Sequence, residues 1–259
     1  MEDSPKRVNN PWTPAQDEGS LVAHGRLFFA KKGWDPFPFQ LEAWSHFEQN
    51  GDALVNAPTG SGKTYSVLVP AVLGGGDSGG LRVLWITPIR ALAKEIQGSA
   101  SRLLAFQNRG WSVGVRTGDT PSSEKQKQDK RLPEVLITTP ESLHVLLAKK
   151  GSEKRFGGLV AMVVDEWHDL LGNKSGVQIE LALCQLKALA PSMRIWGISA
   201  TIGNLEEAKT ALMGVDRLNG ARVIRSELKK KIALKSLMPD AFERLAWSGH
   251  LGVKLLDQV

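Results

Sequence analysis

The stretch Ala53-Leu54-Val55-Asn56-Ala57-Pro58-Thr59-Gly60-Ser61-Gly62-Lys63-Thr64 decides the fold. It begins as a short apolar run, the pattern of a buried strand, and breaks into a glycine-rich turn that ends in Gly-Lys-Thr. This is the form of a P-loop, with Ala57 standing where the strict pattern has its first glycine. Gly60 and Gly62 have no Cβ to stop the backbone curling round a phosphate and aiming successive N–H groups at it. A helix starting near Gly62 adds the positive end of its dipole. Lys63 then reaches the β- and γ-phosphates, and the Thr64 hydroxyl is placed to ligate Mg²⁺. The loop from Thr59 through Ser61 to Thr64 therefore implies a nucleoside triphosphate site with Mg²⁺.

Working outward, a second apolar run, Leu159-Val160-Ala161-Met162-Val163-Val164, ends in Asp165-Glu166-Trp167-His168. A strand that delivers two consecutive carboxylates beside a P-loop has a specific chemical logic. Asp165 would hold Mg²⁺, and Glu166 would polarise an attacking water. An acidic turn capping the next helix is the plain alternative for such a pair.

Between and beyond these motifs, strands and helices alternate. Apolar runs predict strands over 82–87, 112–116, 134–138, 159–165, 194–199 and 221–226. Helical periodicity predicts helices over 21–32, 40–49, 64–73, 88–107, 122–129, 141–149, 176–189 and 205–213. Alternation of this kind implies crossover units and a mostly parallel α/β sheet covered by helices on both faces. Ligands of such sheets sit at the carboxyl ends of the strands.

Composition bounds the function. The 259 residues carry a formal charge of +6, which favours a polyanionic partner without being extreme. No apolar run approaches the length of about 18 residues needed to cross a membrane. A single cysteine, Cys184, excludes an internal disulfide and any multi-cysteine metal site. It lies in an apolar pattern that predicts a small core residue. These features point to a reducing, cytoplasmic setting.

The remaining strand-end loops are individually weak signals. Thr87-Pro88-Ile89-Arg90, Thr117-Gly118-Asp119, Thr139-Pro140-Glu141 and Ser199-Ala200-Thr201 each fit turn or cap chemistry. As a set they offer N–H groups, hydroxyls and an arginine, the equipment for holding a phosphate backbone without reading bases. In chain order with Gln40, the P-loop and Asp165-Glu166-Trp167-His168, they resemble the helicase motifs of superfamily 2. The Pro36–Gln40 stretch, Asp-Glu-Trp-His, Ser199 to Asn204 and Trp247-Ser248-Gly249-His250-Leu251-Gly252 resemble the large-helicase-related group, in particular the bacterial ligase-associated DEXH-box helicases of DNA repair.

The resemblance implies a RecA-like P-loop domain with ATP-driven translocation on single-stranded DNA and 3′ to 5′ unwinding, RNA being the alternative strand. It makes Gln40 the adenine reader and gives Lys63, Asp165 and Glu166 the catalytic roles. Pro88, Arg90, Gly118, Thr139 and Pro140 would line the strand path. His168, Ser199 and Thr201 would couple the γ-phosphate to those loops. It further implies a nucleoid-associated bacterial protein, with a DNA ligase or repair nuclease as partner. The Lys125–Arg131 run reads as a solvated surface.

Such motors need two RecA-like domains, the second supplying an arginine finger, and residues 202–259 carry no further strand-and-loop set of that kind. The expected organisation is an arm over 1–18, a RecA-like domain over 19–226, and a linker over 227–259 toward a second RecA-like domain. Two other readings use the same loop. One is a module that grips nucleotide and nucleic acid without useful turnover. The other is a small-molecule kinase, disfavoured by the adjacent Asp165-Glu166 pair and by the absence of an arginine-rich lid.

Overall fold

The computed structural model describes residues 20–76, 79–108, 110–200 and 202–228. The chain divides into two units at Leu228/Lys229, and all the described residues belong to the first. The expectations for residues 1–18, Thr201, the 227–259 linker and the Trp247–Gly252 stretch lie wholly or mainly outside the described residues.

Seven strands form one sheet: β1 (Ala53–Asn56), β2 (Val83–Ile86), β3 (Val113–Arg116), β4 (Val135–Thr138), β5 (Ala161–Val164), β6 (Arg194–Ser199) and β7 (Arg222–Arg225). Their order is β3-β4-β2-β5-β6-β1-β7, and every pairing is parallel. β2, β3, β4, β5 and β7 are shorter than the runs that predict them, because pairing stops where the backbone turns toward the loops, whereas β6 keeps its full run.

Successive residues of a strand point to opposite faces, and here the two faces feed two separate cores. Val55, Val83, Trp85, Val135, Ile137, Val163 and Trp196 pack with helices α1 (Ser20–Lys31), α2 (Pro38–Glu48), α3 (Lys63–Leu73) and α4 (Arg90–Gln107). Leu54, Leu84, Ile86, Leu136, Met162, Val164 and Ile195 face the other way. That second core is closed by α6 (Pro140–Leu147), α7 (Ser152–Phe156), α8 (Trp167–Leu170), α9 (Lys174–Leu189) and α10 (Leu205–Met213). Burial on both faces is why the inner strands read as unbroken apolar runs rather than alternating ones. On the first face α1 and α2 cross closely: a Cβ on Gly25 would stand 2.6 Å from the Trp44 ring.

Three expectations need correction. Helix α4 begins at Arg90 rather than 88, since Pro88 and Ile89 stay in the turn after β2. Cys184 is exposed. The buried face of α9 runs through Ile179, Ala182, Leu183 and Leu186, and position 184 falls off it at helical spacing. The Lys125–Arg131 run is only partly solvated. It lies mostly on α5 (Ser122–Lys130), where Gln128 is buried and the Lys125 ammonium donates to the Gly118 carbonyl at 3.0 Å. The short helices α7 and α8 and the 3₁₀ turn Val215–Arg217 have too few residues to show a period in sequence.

Candidate functional site

The order β5-β6-β1 brings three strand ends side by side. From β1 the chain enters the loop through a hydrogen bond from the Ala57 N–H to the Ser199 carbonyl at 3.1 Å. Gly60 and Gly62 then adopt φ of 75° and 79°, the left-handed region that costs glycine nothing. Gly62 is the N-cap of α3, so Lys63 and Thr64 open that helix. The Ser61 hydroxyl donates to the Pro58 carbonyl at 2.6 Å and closes the turn internally. Thr59 and Gly60 are exposed at its tip.

Lys63 is buried, and its Nζ lies 3.9 Å from the Glu166 Oε2. Neither atom forms a hydrogen bond among the described residues. Both line a cavity of about 300 Å³ that Gly60, Gly62, Thr64 and Asp165 share, with Glu95, Ser99 and Arg102 of α4 on its far wall. Glu166 sits at φ 48°, a left-handed conformation that non-glycine residues seldom adopt and that costs on the order of 1 kcal/mol.

Asp165 follows β5 directly, its N–H donating to the Ile86 carbonyl at 2.8 Å. Its carboxylate accepts from the Glu166 N–H at 3.0 Å through Oδ1 and from the Trp85 indole N–H at 3.3 Å through Oδ2. Burial, and then the neighbouring Glu166 charge, push its pKa up to about 6, against the pull of those two donors and of Lys63. The donor set is hard oxygen: one carboxylate and the Thr64 hydroxyl. Among the described residues no cluster of three His, Cys, Asp or Glu is spaced to hold a metal alone. A cation here would draw its other ligands from phosphate and water, the habit of Mg²⁺. The residues fit that ion.

Gln40 is buried, and its side-chain amide is tied at both poles. Nε2 donates to the Gly62 carbonyl at 3.0 Å, and Oε1 accepts the Phe37 N–H at 2.8 Å. An amide has two donor hydrogens and two acceptor lone pairs, so each pole keeps one bonding position. A second cavity of about 360 Å³ adjoins this amide, lined by Phe29, Trp34, Phe37 and Tyr65. Trp34 and Phe37 remain 43% and 39% exposed, unlike the wholly buried Trp44, Trp85, Trp167 and Trp196. Trp34, Phe37, Tyr65, Trp85 and Arg102 join the site without a motif of their own in the sequence. The aromatic Trp34–Gln40 stretch beside the proline pair was the one available signal.

Ala200 is held from both sides. Its N–H donates to His168 Nδ1 at 3.4 Å, and its carbonyl accepts from the Asn56 side chain. His168 Nδ1 also lies 3.4 Å from Glu166 Oε2. His168 thus meets the Ser-Ala-Thr stretch through the backbone of its middle residue, while Ser199 is fully buried. The helix that follows is capped by Asn204, whose Oδ1 accepts the Glu207 N–H.

The other expected residues gather on the adjoining part of the same edge, at the ends of β3, β4 and β2. Arg90 Nη1 donates to Asp119 Oδ1 at 2.7 Å, and a Cβ on Gly118 would approach that guanidinium to 3.0 Å. Thr139 caps α6 by accepting the Ser142 N–H, and Pro140 occupies the first turn, where no N–H is needed. Pro88 is half-buried in the turn before Arg90. Arg90, Lys94 and Gln97 border a cavity of about 440 Å³ with Thr117 and Thr120.

A parallel sheet with a P-loop after β1 and a carboxylate pair after β5 defines a P-loop nucleotide-binding domain of RecA-like fold. The chain belongs to the DEAD/DEAH box helicase family, whose model matches residues 37–208. The family implies use of a nucleotide. Similar proteins include the Lhr helicase/probable uracil glycosylase of Mycolicibacterium smegmatis, 34% identical over 213 residues that cover 76% of this chain and 14% of that one. The ATP-dependent helicase Lhr-Core of Methanocaldococcus jannaschii is 32% identical, covering 78% of this chain and 26% of that one. The solved structure of Mycobacterium smegmatis helicase Lhr bound to ssDNA and AMP-PNP matches with a TM-score of 0.72 and 30% identity, over 83% of this chain and 28% of that one. The DEAD-box helicase Mss116 bound to ssRNA and UDP-BeF shares the fold, with a TM-score of 0.66 at 20% identity over 80% of this chain and 43% of that one. The chain therefore spans between about a seventh and a quarter of the length of these Lhr relatives. Among the described residues no helix is long and apolar enough to cross a membrane.

Proposed function

We propose that this chain is the ATP-binding motor domain of an ATP-dependent helicase acting on single-stranded DNA, and that it works against a second RecA-like domain. One observation carries the reading. The Lys63 ammonium and the Glu166 carboxylate face each other across the cavity without hydrogen bonds, beside a glycine loop and a buried aspartate. Buried polar groups are ordinarily paired, so a pair left open in this way suits a ligand that brings both a phosphate and a water.

In this reading the N–H groups from Gly60 to Thr64 cradle the phosphates and Lys63 neutralises their terminal oxygens. Glu166 accepts a proton from the water it orients. Asp165 and Thr64 would hold Mg²⁺, which when bound neutralises charge on the β- and γ-oxygens. The free donor and acceptor of the Gln40 amide match adenine's N7 and N6 edge, with the aromatic cavity beside it for the ring. Arg90, Gly118, Pro88, Thr139 and Pro140 hold the strand, and His168 with Ala200 relays the nucleotide state between the two groups of loops. Single-stranded DNA is favoured as the polymer because the Lhr structure at 30% identity was solved with it.

All the nucleotide contacts proposed come from one side of the site. A second domain closing over the other side would exclude water and strengthen each electrostatic contact, and an arginine finger is worth on the order of 10³–10⁵ in turnover. The 259-residue chain should bind Mg-ATP, hydrolyse it slowly and unwind nothing. Fusing a second RecA-like domain from a related helicase after Val259 should restore DNA-stimulated phosphate release. Unwinding by the 259-residue chain at the rate of the fusion would overturn the two-domain reading. Absence of Mg-ATP binding would overturn the nucleotide site itself.

A further inference from the structure

The indole of Trp85 is fully buried in the middle of β2, where packing alone asks only for a large apolar side chain. Its N–H nevertheless ends on the Oδ2 of Asp165, at 3.3 Å. The other tryptophans with a bonded indole on α2, α8 and β6 donate to backbone carbonyls instead: Trp44 to Tyr65, Trp167 to Ala208 and Trp196 to Gly51. Trp85 is the odd one, and the register explains how it gets there. It pairs with Val163 across β2 and β5, and Asp165 lies two residues further along, so the two side chains leave the sheet on the same side.

The consequence for the carboxylate is geometric. Oδ1 is held by the Glu166 N–H and Oδ2 by the indole, one donor on each oxygen. Two donors on different oxygens fix the rotation of the carboxyl plane, which one alone would leave free. Among the described residues no other hydrogen bond reaches Oδ2. We propose that Trp85 is a positioning residue for Asp165, setting the carboxylate orientation that a Mg²⁺-nucleotide complex requires. This inference rests on the nucleotide-site reading above. β2 also leads into the Pro88–Arg90 turn, so the indole joins a strand of one loop group to a carboxylate of the other.

The test is a cycle of Trp85→Phe, Asp165→Asn and the double variant in the 259-residue chain. AMP-PNP affinity is read by calorimetry with Mg²⁺ and again with chelator, and folding is checked by thermal melting. Loss of a side chain that orients a metal ligand typically weakens metal affinity by about 10–100-fold. Trp85→Phe is expected to raise the Mg²⁺ concentration at half-saturation by about tenfold, to leave chelator-treated affinity within about twofold, and to add nothing in the Asp165→Asn background. An equal loss with and without Mg²⁺, or no loss, overturns the proposal. If Asp165→Asn itself leaves the Mg²⁺ dependence unchanged, the nucleotide-site reading fails first. Should Trp85→Phe not fold, indole ¹⁵N NMR of the wild-type chain decides the matter. The Trp85 resonance, assigned from a folded Trp85→Tyr or Trp85→Met chain, must shift when Mg²⁺ joins bound AMP-PNP, and a resonance that stays in place overturns the inference.

Discussion

The Nζ of Lys63 and the Oε2 of Glu166 stand 3.9 Å apart, both buried and both without a hydrogen bond among the described residues. At that distance the charges attract, but the gap is too wide for a direct bond. Glu166 is held there in a left-handed backbone conformation two residues after β5, while Lys63 is held by the first turn of α3. Two elements far apart in sequence therefore present opposite charges to the same cavity.

Lys63→Ala should weaken Mg-ATP binding by about tenfold or more, since a hydrogen bond to a charged group is worth roughly 1.5–3 kcal/mol. Calorimetry with Mg²⁺ present measures it. Equal affinity in wild type and variant would contradict the P-loop assignment.

Glu166→Gln should keep nucleotide affinity within about threefold, because the amide occupies the same space. Turnover should fall steeply in a chain fused to a second RecA-like domain, as an amide is a far poorer proton acceptor than a carboxylate. Unchanged phosphate release would mean that another residue orients the water.

Asp165 makes stability depend on pH in a stated direction. Its pKa is about 6 in the folded chain against an ordinary 3.8, so between these values the folded state keeps a proton the unfolded chain has lost. Stability from this group is present below about pH 3.8 and is lost as the pH rises through about 6. The loss totals roughly 3 kcal/mol at 1.36 kcal/mol per pH unit. The melting temperature of wild type relative to Asp165→Asn should therefore fall between pH 4 and pH 7 without nucleotide. A pH-independent difference would refute the shifted carboxyl.

Gln40→Ala should reduce discrimination between ATP and GTP and also loosen the loop, because it deletes the bond to the Gly62 carbonyl. A drop in ATP affinity about tenfold larger than the drop for GTP is the expected pattern, since a bidentate amide–base pair carries about 1–3 kcal/mol of discrimination. Equal losses for both nucleotides would leave Gln40 with the loop alone.

Arg90 and Asp119 form an exposed pair, with side chains 60% and 68% accessible. Such pairs contribute little to folding, but the carboxylate competes with any phosphate for the guanidinium. Asp119→Asn should tighten binding of an oligo(dT) strand a few-fold at low salt, and Arg90→Ala should weaken it and flatten the salt slope by about one. Anisotropy titrations over a range of salt concentrations read both. Weaker binding by Asp119→Asn would mean that Asp119 orients Arg90 rather than competing with it.

Much of this was legible in the chain alone, for local reasons. The inner strand positions followed from apolar runs, since a strand buried on both faces has little room for a polar residue, whereas the edge strands β3 and β7 carry arginines. β6 and α10 have the predicted bounds, and the other strands differ at their ends, where loop geometry decides. Gly60 and Gly62 announced positive φ because no other residue takes it without strain. Thr139 announced a cap by standing before Pro140. Cys184 misled, because a run of apolar neighbours does not say which side of a helix faces the core.

The sequence by itself determined that a P-loop, a carboxylate pair and a set of hydroxyl-bearing turns would each follow a strand, since backbone conformation and apolar periodicity are short-range properties. Only the tertiary structure decided which of them meet. The order β5-β6-β1 sets Ala200 between Asn56 and His168, and the β2–β5 pairing delivers the Trp85 indole to Asp165. Those neighbours are 32 to 144 residues apart in the chain, and their contact depends on how the helices cover both faces of one sheet, a packing outcome that no local pattern encodes.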